Sequence, residues 1–267
     1  MKDVTFGQYY PANSIVHSMN PAVKILLTIA YIVAVFMVKQ FYFLGFAACL
    51  LAVILITILA KIPFLKVLKS VKAVIFFVLL SAILQLLFNK NGTPLWKGGF
   101  ITDVGLLTAG FITARILLMV LGATLLTLTT SPVDLADGIE TLLYPLKLIK
   151  FPVHEFALIM SIALRFIPTL IDETDRIIKA QKARGADFDS GNIFKRAKAL
   201  IPVLIPLLIS SFRRADELAD AMDARCYAGS KKRTKYKKTS FTISDFFGLV
   251  FMAGLIVGVV FLNGFII

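Results

Sequence analysis

The chain has 267 residues, of which 58% are hydrophobic, with a mean hydropathy of +0.84 and a formal net charge of +13. The apolar share exceeds the roughly 45–50% of soluble domains, which excludes an ordinary water-soluble enzyme. The strongest basic cluster, Lys231 to Lys238, directly precedes an apolar run, so anionic lipid headgroups account for it and no nucleic acid is expected as a partner.

Residues 1–20 read as an amphipathic or extended lead-in. They open on polar Met1-Lys2-Asp3, and no small-residue cleavage site follows the first apolar run, so a cleaved signal peptide is not expected. Pro21 and Lys24 open that first run, Ile25 to Val38, which is short enough that Lys24 and Lys39 must snorkel to the interfaces. The next runs are Phe41 to Ala60, Ala73 to Asn89, Val104 to Val133 (interrupted only by Arg115) and Phe246 to Ile267. A membrane helix needs about 20 mostly apolar residues, and these four meet that length. Lys39-Gln40 marks a tight turn and Pro63 a helix break. Asn91-Gly92-Thr93-Pro94 and Gly98-Gly99 mark a loop.

A polar block separates the fourth and fifth runs. Ser131, Pro132 and Asp134 predict a capped helix start, with the helix ending near Leu143 ahead of Pro145. A second helix is predicted from Pro152 or Val153 to about Ala183, and a third from about Phe194 to Ala224. Thr242-Ile243-Ser244-Asp245 is another capping box, opening the last run. Phe156 to Leu164 and Leu200 to Ser210 are apolar but too short to span. They are expected to pack as core helices or to lie, at least in part, along the underside of the membrane.

Charge placement orients the chain. Lys61, Lys66, Lys69 and Lys72 lie between the second and third runs, and residues 131–240 hold 19 Lys and Arg against 13 Asp and Glu. The other loops offer only Lys39, Lys90 and Lys97. The positive-inside rule puts the two basic segments in the cytoplasm, with the N-terminus cytoplasmic and the C-terminus external. The expected fold is an all-α membrane protein with about five transmembrane helices and a cytosolic helical domain. Residues 1–130 carry four spans, 131–240 the cytosolic domain and 241–267 the last span.

Catalytic patterns are missing from the sequence. There is no P-loop, no HExxH and no Ser-His-Asp arrangement, so no enzymatic role and no cofactor are expected. The apolar runs contain no Asp or Glu to relay protons, which weighs against a proton-coupled transporter. Cys49 and Cys226 are too far apart for a disulfide and are not spaced as a metal site. His17 and His154 have no ligand pattern around them.

Two helix ends carry the most information. Ile177, Ala180, Ala183 and Arg184 match Leu218, Ala221, Ala224 and Arg225 at an offset of 41 residues. Positions i and i+7 share a helix face, so Arg184 lies in line with Ile177, and Arg225 with Leu218. Each face is small and apolar and ends in an arginine, which can fork onto a carboxylate and keeps its charge. A basic residue at a helix C-terminus also complements the macrodipole, so helix stability alone is the competing reading. Two other arginines stand out. Arg115 sits inside the fourth run and needs a partner: a backbone carbonyl, Thr113 or Gln85, or another subunit. A helix-locking bond and a substrate role are both open for it. Arg165, in Leu164-Arg165-Phe166-Ile167-Pro168, is expected to pair with Glu155 or Asp172 at a hinge.

Arg165-Phe166-Ile167-Pro168, Ala180-Gln181-Lys182-Ala183-Arg184-Gly185 and Ala221-Met222-x-Ala224-Arg225-x-Tyr227 resemble the transmembrane component of energy-coupling factor transporters. Ser14-Ile15-Val16-His17-x-x-x-Pro21-x-x-Lys24 resembles that family's opening, so the likeness spans nearly the whole chain. Cys226 departs from it, standing where the family usually has glycine. The resemblance implies that residues 131–240 form a cytosolic helical coupling domain in a multi-pass protein of a prokaryotic cell membrane. It implies two ATP-binding-cassette ATPases and a small substrate-binding membrane subunit as partners. Ala183, Arg184, Gly185, Ala224, Arg225 and Cys226 would form the ATPase-docking tips. The chain would be a non-catalytic coupling subunit of an ATP-driven vitamin or metal importer. The rival readings are a permease that binds its own substrate and a membrane-embedded enzyme that uses Arg115 and Arg165 to hold an anionic lipid.

Overall fold

The computed structural model describes residues 9–39, 43–89, 93, 102–149, 152–186, 188, 192–227, 229 and 241–264. Every element among them is helical. In chain order these are α1 (Ile15–Ser18), α2 (Pro21–Met37), α3 (Phe43–Leu59), α4 (Phe64–Phe88), α5 (Asp103–Thr129), α6 (Pro132–Leu143), a 3-10 helix (Tyr144–Ile149), α7 (Val153–Ala183), α8 (Ile193–Ala224) and α9 (Ile243–Gly264). The expected boundaries at Pro21, Pro63, Pro132 and Val153 coincide with helix starts. The basic cluster 231–238, Gln40 and most of the 90–101 loop lie outside the described residues.

Helices α5 and α9, of 27 and 22 residues, are long and apolar enough to cross a membrane. A third span is available if Phe64–Lys72 and Val74–Phe88, bent by 58° where they meet, count as one. Helices α2 and α3 are apolar but have 17 residues each, the low end of what spans a bilayer.

The chain divides into two compact units, residues 7–142 with 239–267, and residues 143–238. The first is a helical bundle. Its core is built from Tyr31, Val35 and Val38 of α2 and its end, Phe46, Cys49 and Val53 of α3, Phe111, Leu118 and Leu125 of α5, and Met252 and Val259 of α9. Large apolar side chains also point outward, among them Leu51, Ile58, Phe76, Phe77, Phe247 and Phe261. A helix that is apolar all round belongs in lipid or in a large core.

Side-chain hydrogen bonds fix the relative direction of the bundle helices. Asp245, at the start of α9, accepts from the backbone amide of Asn20 (2.9 Å), the residue whose side chain caps α2. Near the far end of α9, Asn263 donates to the Met37 carbonyl (2.7 Å) and accepts from the Lys39 amide (3.3 Å). Helices α2 and α9 therefore run parallel and are clamped at both ends. Helices α2 and α5 run antiparallel. Lys24 Nζ donates to Thr129 O at 3.1 Å, Tyr31 Oη to Leu118 O at 3.3 Å and Arg115 Nη2 to Val38 O at 2.7 Å. Gly122 lets α5 approach, since a Cβ there would stand 2.4 Å from the Tyr31 ring. His17 bridges the Tyr10 carbonyl (3.0 Å) and the Ser14 hydroxyl (2.7 Å), a structural role that suits its lack of a ligand pattern. Asp245 reaches back to the Thr242 amide (2.7 Å) as the sequence motif predicts.

The second unit is built on α7 and α8, of 31 and 32 residues. Helix α8 leaves Ile201, Leu204, Ile205, Leu208, Ile209 and Phe212 exposed, at the spacing of a single helix face.

Candidate functional site

The two arginine-bearing ends are built by the same backbone closure. At the first, Ala183 ends α7 and Arg184 caps it at φ −85° and ψ 6°. Gly185 then turns left-handed at φ +87°. The Gly185 amide bonds Lys182 O (3.0 Å) and the Ala186 amide bonds Gln181 O (3.0 Å). This pair of bonds is the Schellman closure, which satisfies carbonyls the helix would otherwise leave open. At the second, the Cys226 amide bonds Asp223 O (2.9 Å) and the Tyr227 amide bonds Met222 O (3.0 Å). Cys226 takes the left-handed position at φ 56°. The departure from glycine therefore changes the residue but not the ending.

A left-handed residue with a Cβ costs roughly 1–2 kcal/mol, and glycine removes that penalty. Cys226→Gly is expected to stabilise the α8 end by about 1 kcal/mol. Exchange of the Tyr227 amide should then slow about fivefold in a hydrogen-exchange measurement. An unchanged rate would mean that the cysteine is not strained there.

Ala183, Arg184, Gly185, Ala224, Arg225 and Cys226 are all exposed. Neither guanidinium has an ion-pair partner among the described residues. Because backbone atoms alone close the caps, both side chains remain available to a second molecule.

The ends are positioned by the crossing of α7 and α8. Glu173 of α7 uses both carboxylate oxygens on α8: Oε1 accepts from the Ser210 hydroxyl and Oε2 from Arg214 Nη2 (2.7 Å). Farther along α7, Gln181 Nε2 donates to Pro202 O at 3.4 Å. As α7 advances its partners on α8 recede, so the helices cross antiparallel. The Arg184 and Arg225 ends therefore project on opposite sides of the crossing. The Ser210 hydroxyl and then the Arg214 guanidinium hold the Glu173 carboxyl below its ordinary value. The clasp is thus charged at neutral pH, and its contribution fades only as pH falls through that lowered value.

The other singled-out arginines lie elsewhere. Arg115 binds the Val38 carbonyl at the end of α2, and its guanidinium carbon lies 4.7 Å from the Phe111 ring centroid. Of the partners the sequence left open, the backbone carbonyl is the one found, and the bond locks α5 to α2. Arg165 is exposed on α7 and makes no ion pair with Glu155 or Asp172 among the described residues, contrary to expectation. It lies about two turns before Asp172 on a helix interrupted by Pro168, and ten residues from Glu155, neither of which is an adjacent-turn spacing.

A cavity of roughly 600 Å³ in the bundle is lined mainly by apolar residues, including Leu27, Val53, Leu125 and Phe251. Its one ammonium, Lys24, is already held by the carbonyls of His17 (3.0 Å) and Thr129 (3.1 Å). No group of His, Cys, Asp or Glu suited to a metal ion occurs among the described residues. Sequence reasoning missed Glu173, Ser210 and Arg214. The 41-residue offset superposes Glu173 on Arg214, as it does Arg184 on Arg225, but it marks neither their contact nor Ser210.

Residues 12–236 match the family model of the cobalt transport protein CbiQ. Among curated relatives, the chain is similar to the energy-coupling factor transporter transmembrane protein EcfT of Ruminiclostridium cellulolyticum. The two are 50% identical over 92% of this chain and 91% of that protein. The proteins of the same name from Clostridium kluyveri and Bacillus subtilis are 46% and 44% identical, each over 92% of both chains.

Proposed function

The chain belongs to the cobalt transport protein family, CbiQ, and is a transmembrane component of an energy-coupling factor transporter; from that premise we propose that α7 and α8 carry its energy input. In this reading two ATP-binding-cassette ATPases each seat one arginine-tipped helix end, and ATP binding draws the two ends along. The chain itself is non-catalytic. It passes the motion to a separate small membrane subunit that binds a vitamin or metal ion.

The observation that carries the reading is the matched pair of exposed tips, Ala183-Arg184-Gly185 and Ala224-Arg225-Cys226. They share one closure, and both guanidinium groups lack partners among the described residues. The exposed apolar face of α8, with Leu204, Leu208 and Phe212, offers a surface of the right chemistry for the substrate-binding subunit or for lipid. A permease reading gains nothing from the bundle cavity, whose apolar lining offers a polar nutrient little to bind.

The same reading takes α2, α3, α4, α5 and α9 as five spans, with residues 131–240 in the cytoplasm. It puts the N-terminus inside and the C-terminus outside. Support comes from the parallel course of α2 and α9 and the antiparallel course of α2 and α5, which are the directions that five alternating spans require.

The native thiols supply the test. Cys49 is buried and Cys226 is exposed on the second tip. A polar maleimide should label Cys226 in the purified chain, and the bound ATPases should protect it at least tenfold. Equal labelling with and without retained ATPases would remove the second tip from the interface.

A further inference from the structure

Glu173 and Arg214 occupy equivalent positions of the two long helices, because the offset of 41 residues that aligns Arg184 with Arg225 also aligns them. Eleven residues separate each member of the pair from the arginine at the end of its own helix. At 1.5 Å per residue each arm is about 16 Å long. The segments 174–184 and 215–225 contain no proline and no glycine. Pro168, Pro202 and Pro206 all lie before the crossing, in the opposite halves of the helices. A proline inside a helix removes a backbone bond and lets it bend, so in each helix the half that leads into the crossing is compliant and the arm that ends in the arginine is stiff.

We infer that the Glu173–Arg214 pair is the fulcrum of a two-armed lever, a positioning pair that makes the two tip arms equal and fixes where they cross. The inference rests on the docking reading above and adds the element that sets its geometry. The pair is partly exposed, with side-chain exposures of 22% for Glu173 and 37% for Arg214. Exposed ion pairs contribute little to stability, so the value of this one lies in where it holds the helices. A rotation of 10° about the crossing moves each tip by about 3 Å on a 16 Å arm. Equal arms give the two ATPases equal displacements. Without the clasp, Ser210 and the distant Gln181 bond leave the crossing free to slide along α8.

The test uses the full transporter in proteoliposomes, with Glu173→Gln, Arg214→Gln and the exchanged double variant Glu173→Arg/Arg214→Glu. ATPases should still co-purify with every variant. Substrate transported per ATP hydrolysed should fall at least fivefold in the single variants and recover at least half of its value in the exchanged one. Spin labels at Lys179→Cys and Asp220→Cys, in a Cys49→Ala/Cys226→Ser background, report the arms directly in the isolated chain. Their distance distribution should be narrow in the parent, broad in Glu173→Gln and narrow again in the exchanged variant. An unbroadened distribution, or transport per ATP unchanged in Glu173→Gln, would overturn the fulcrum. ATPases that fail to co-purify even with the parent chain would overturn the docking reading instead, since the spin-label distances do not depend on them.

Discussion

Replacing Arg184 and Arg225 together with glutamate is expected to abolish retention of the ATPases and, with it, ATP-driven uptake. In a docked tip each guanidinium would meet an acceptor in a desolvated socket. Truncating one partner of such a charge pair costs roughly 2–5 kcal/mol, which is about 30- to 4,000-fold in affinity at each tip. Reversing the charge adds repulsion. The two sites also act together, because one seated tip holds the other at high effective concentration. A single reversal should therefore weaken retention only in part, whereas the double reversal should remove it. The tips themselves should survive, since the closures at Gly185 and Cys226 use backbone atoms only. A glutamate at a helix C-terminus loses only about 0.3–1 kcal/mol to the macrodipole. Co-purification and uptake measured side by side decide the matter, and full recovery of both in the double variant would end the docking reading.

The second large effect is expected at Asp245. This carboxylate is fully buried and accepts from two amides, Asn20 at 2.9 Å and Thr242 at 2.7 Å. It also sits near enough to the buried Lys24 ammonium to interact with its charge. Asp245→Ala leaves both amides without acceptors and removes one of the two carboxylates, Asp134 being the other, that face Lys24. Losing one member of a buried charged network costs about 3–5 kcal/mol. For a domain of this size that is a fall in Tm of roughly 6–20 °C, to be read by thermal unfolding in detergent. Asp245→Asn keeps an acceptor for one of the two amides, which use separate carboxylate oxygens, and should lose less. A Tm within a degree of the parent for Asp245→Ala would show that the α2–α9 clamp is dispensable.

Helix limits were legible wherever a residue acts locally. Ser131 with Asp134, Thr242 with Asp245, Pro21 and Pro63 set helix starts through their own backbone geometry, so a window of a few residues suffices. The arginine tips were legible because they repeat. What stayed hidden depends on contacts between residues far apart in the chain. The Asn20–Asp245 bond spans 225 positions, and Arg115 meets a carbonyl 77 positions away. No pattern of hydropathy encodes a carbonyl as a partner, because every residue has one. The mistaken pairing of Arg165 came from the same limit, since nearness in sequence was taken for nearness in space. Glu173 and Arg214 sat within the aligned repeat, but an alignment of two helices does not reveal that they cross where it matches.

The clamp between α2 and α9 has a consequence for biogenesis. Helix α2, the first long helix made, completes the hydrogen bonds at its two ends only with the late-made α9. Until the ribosome has released residues 243–264, the Asn20 amide and the Met37 carbonyl lack the α9 groups that satisfy them in the finished fold. A nascent chain interrupted before that point would be left with unsealed polar atoms at both rims of its first hairpin, a mark by which membrane proteases could distinguish incomplete copies from complete ones.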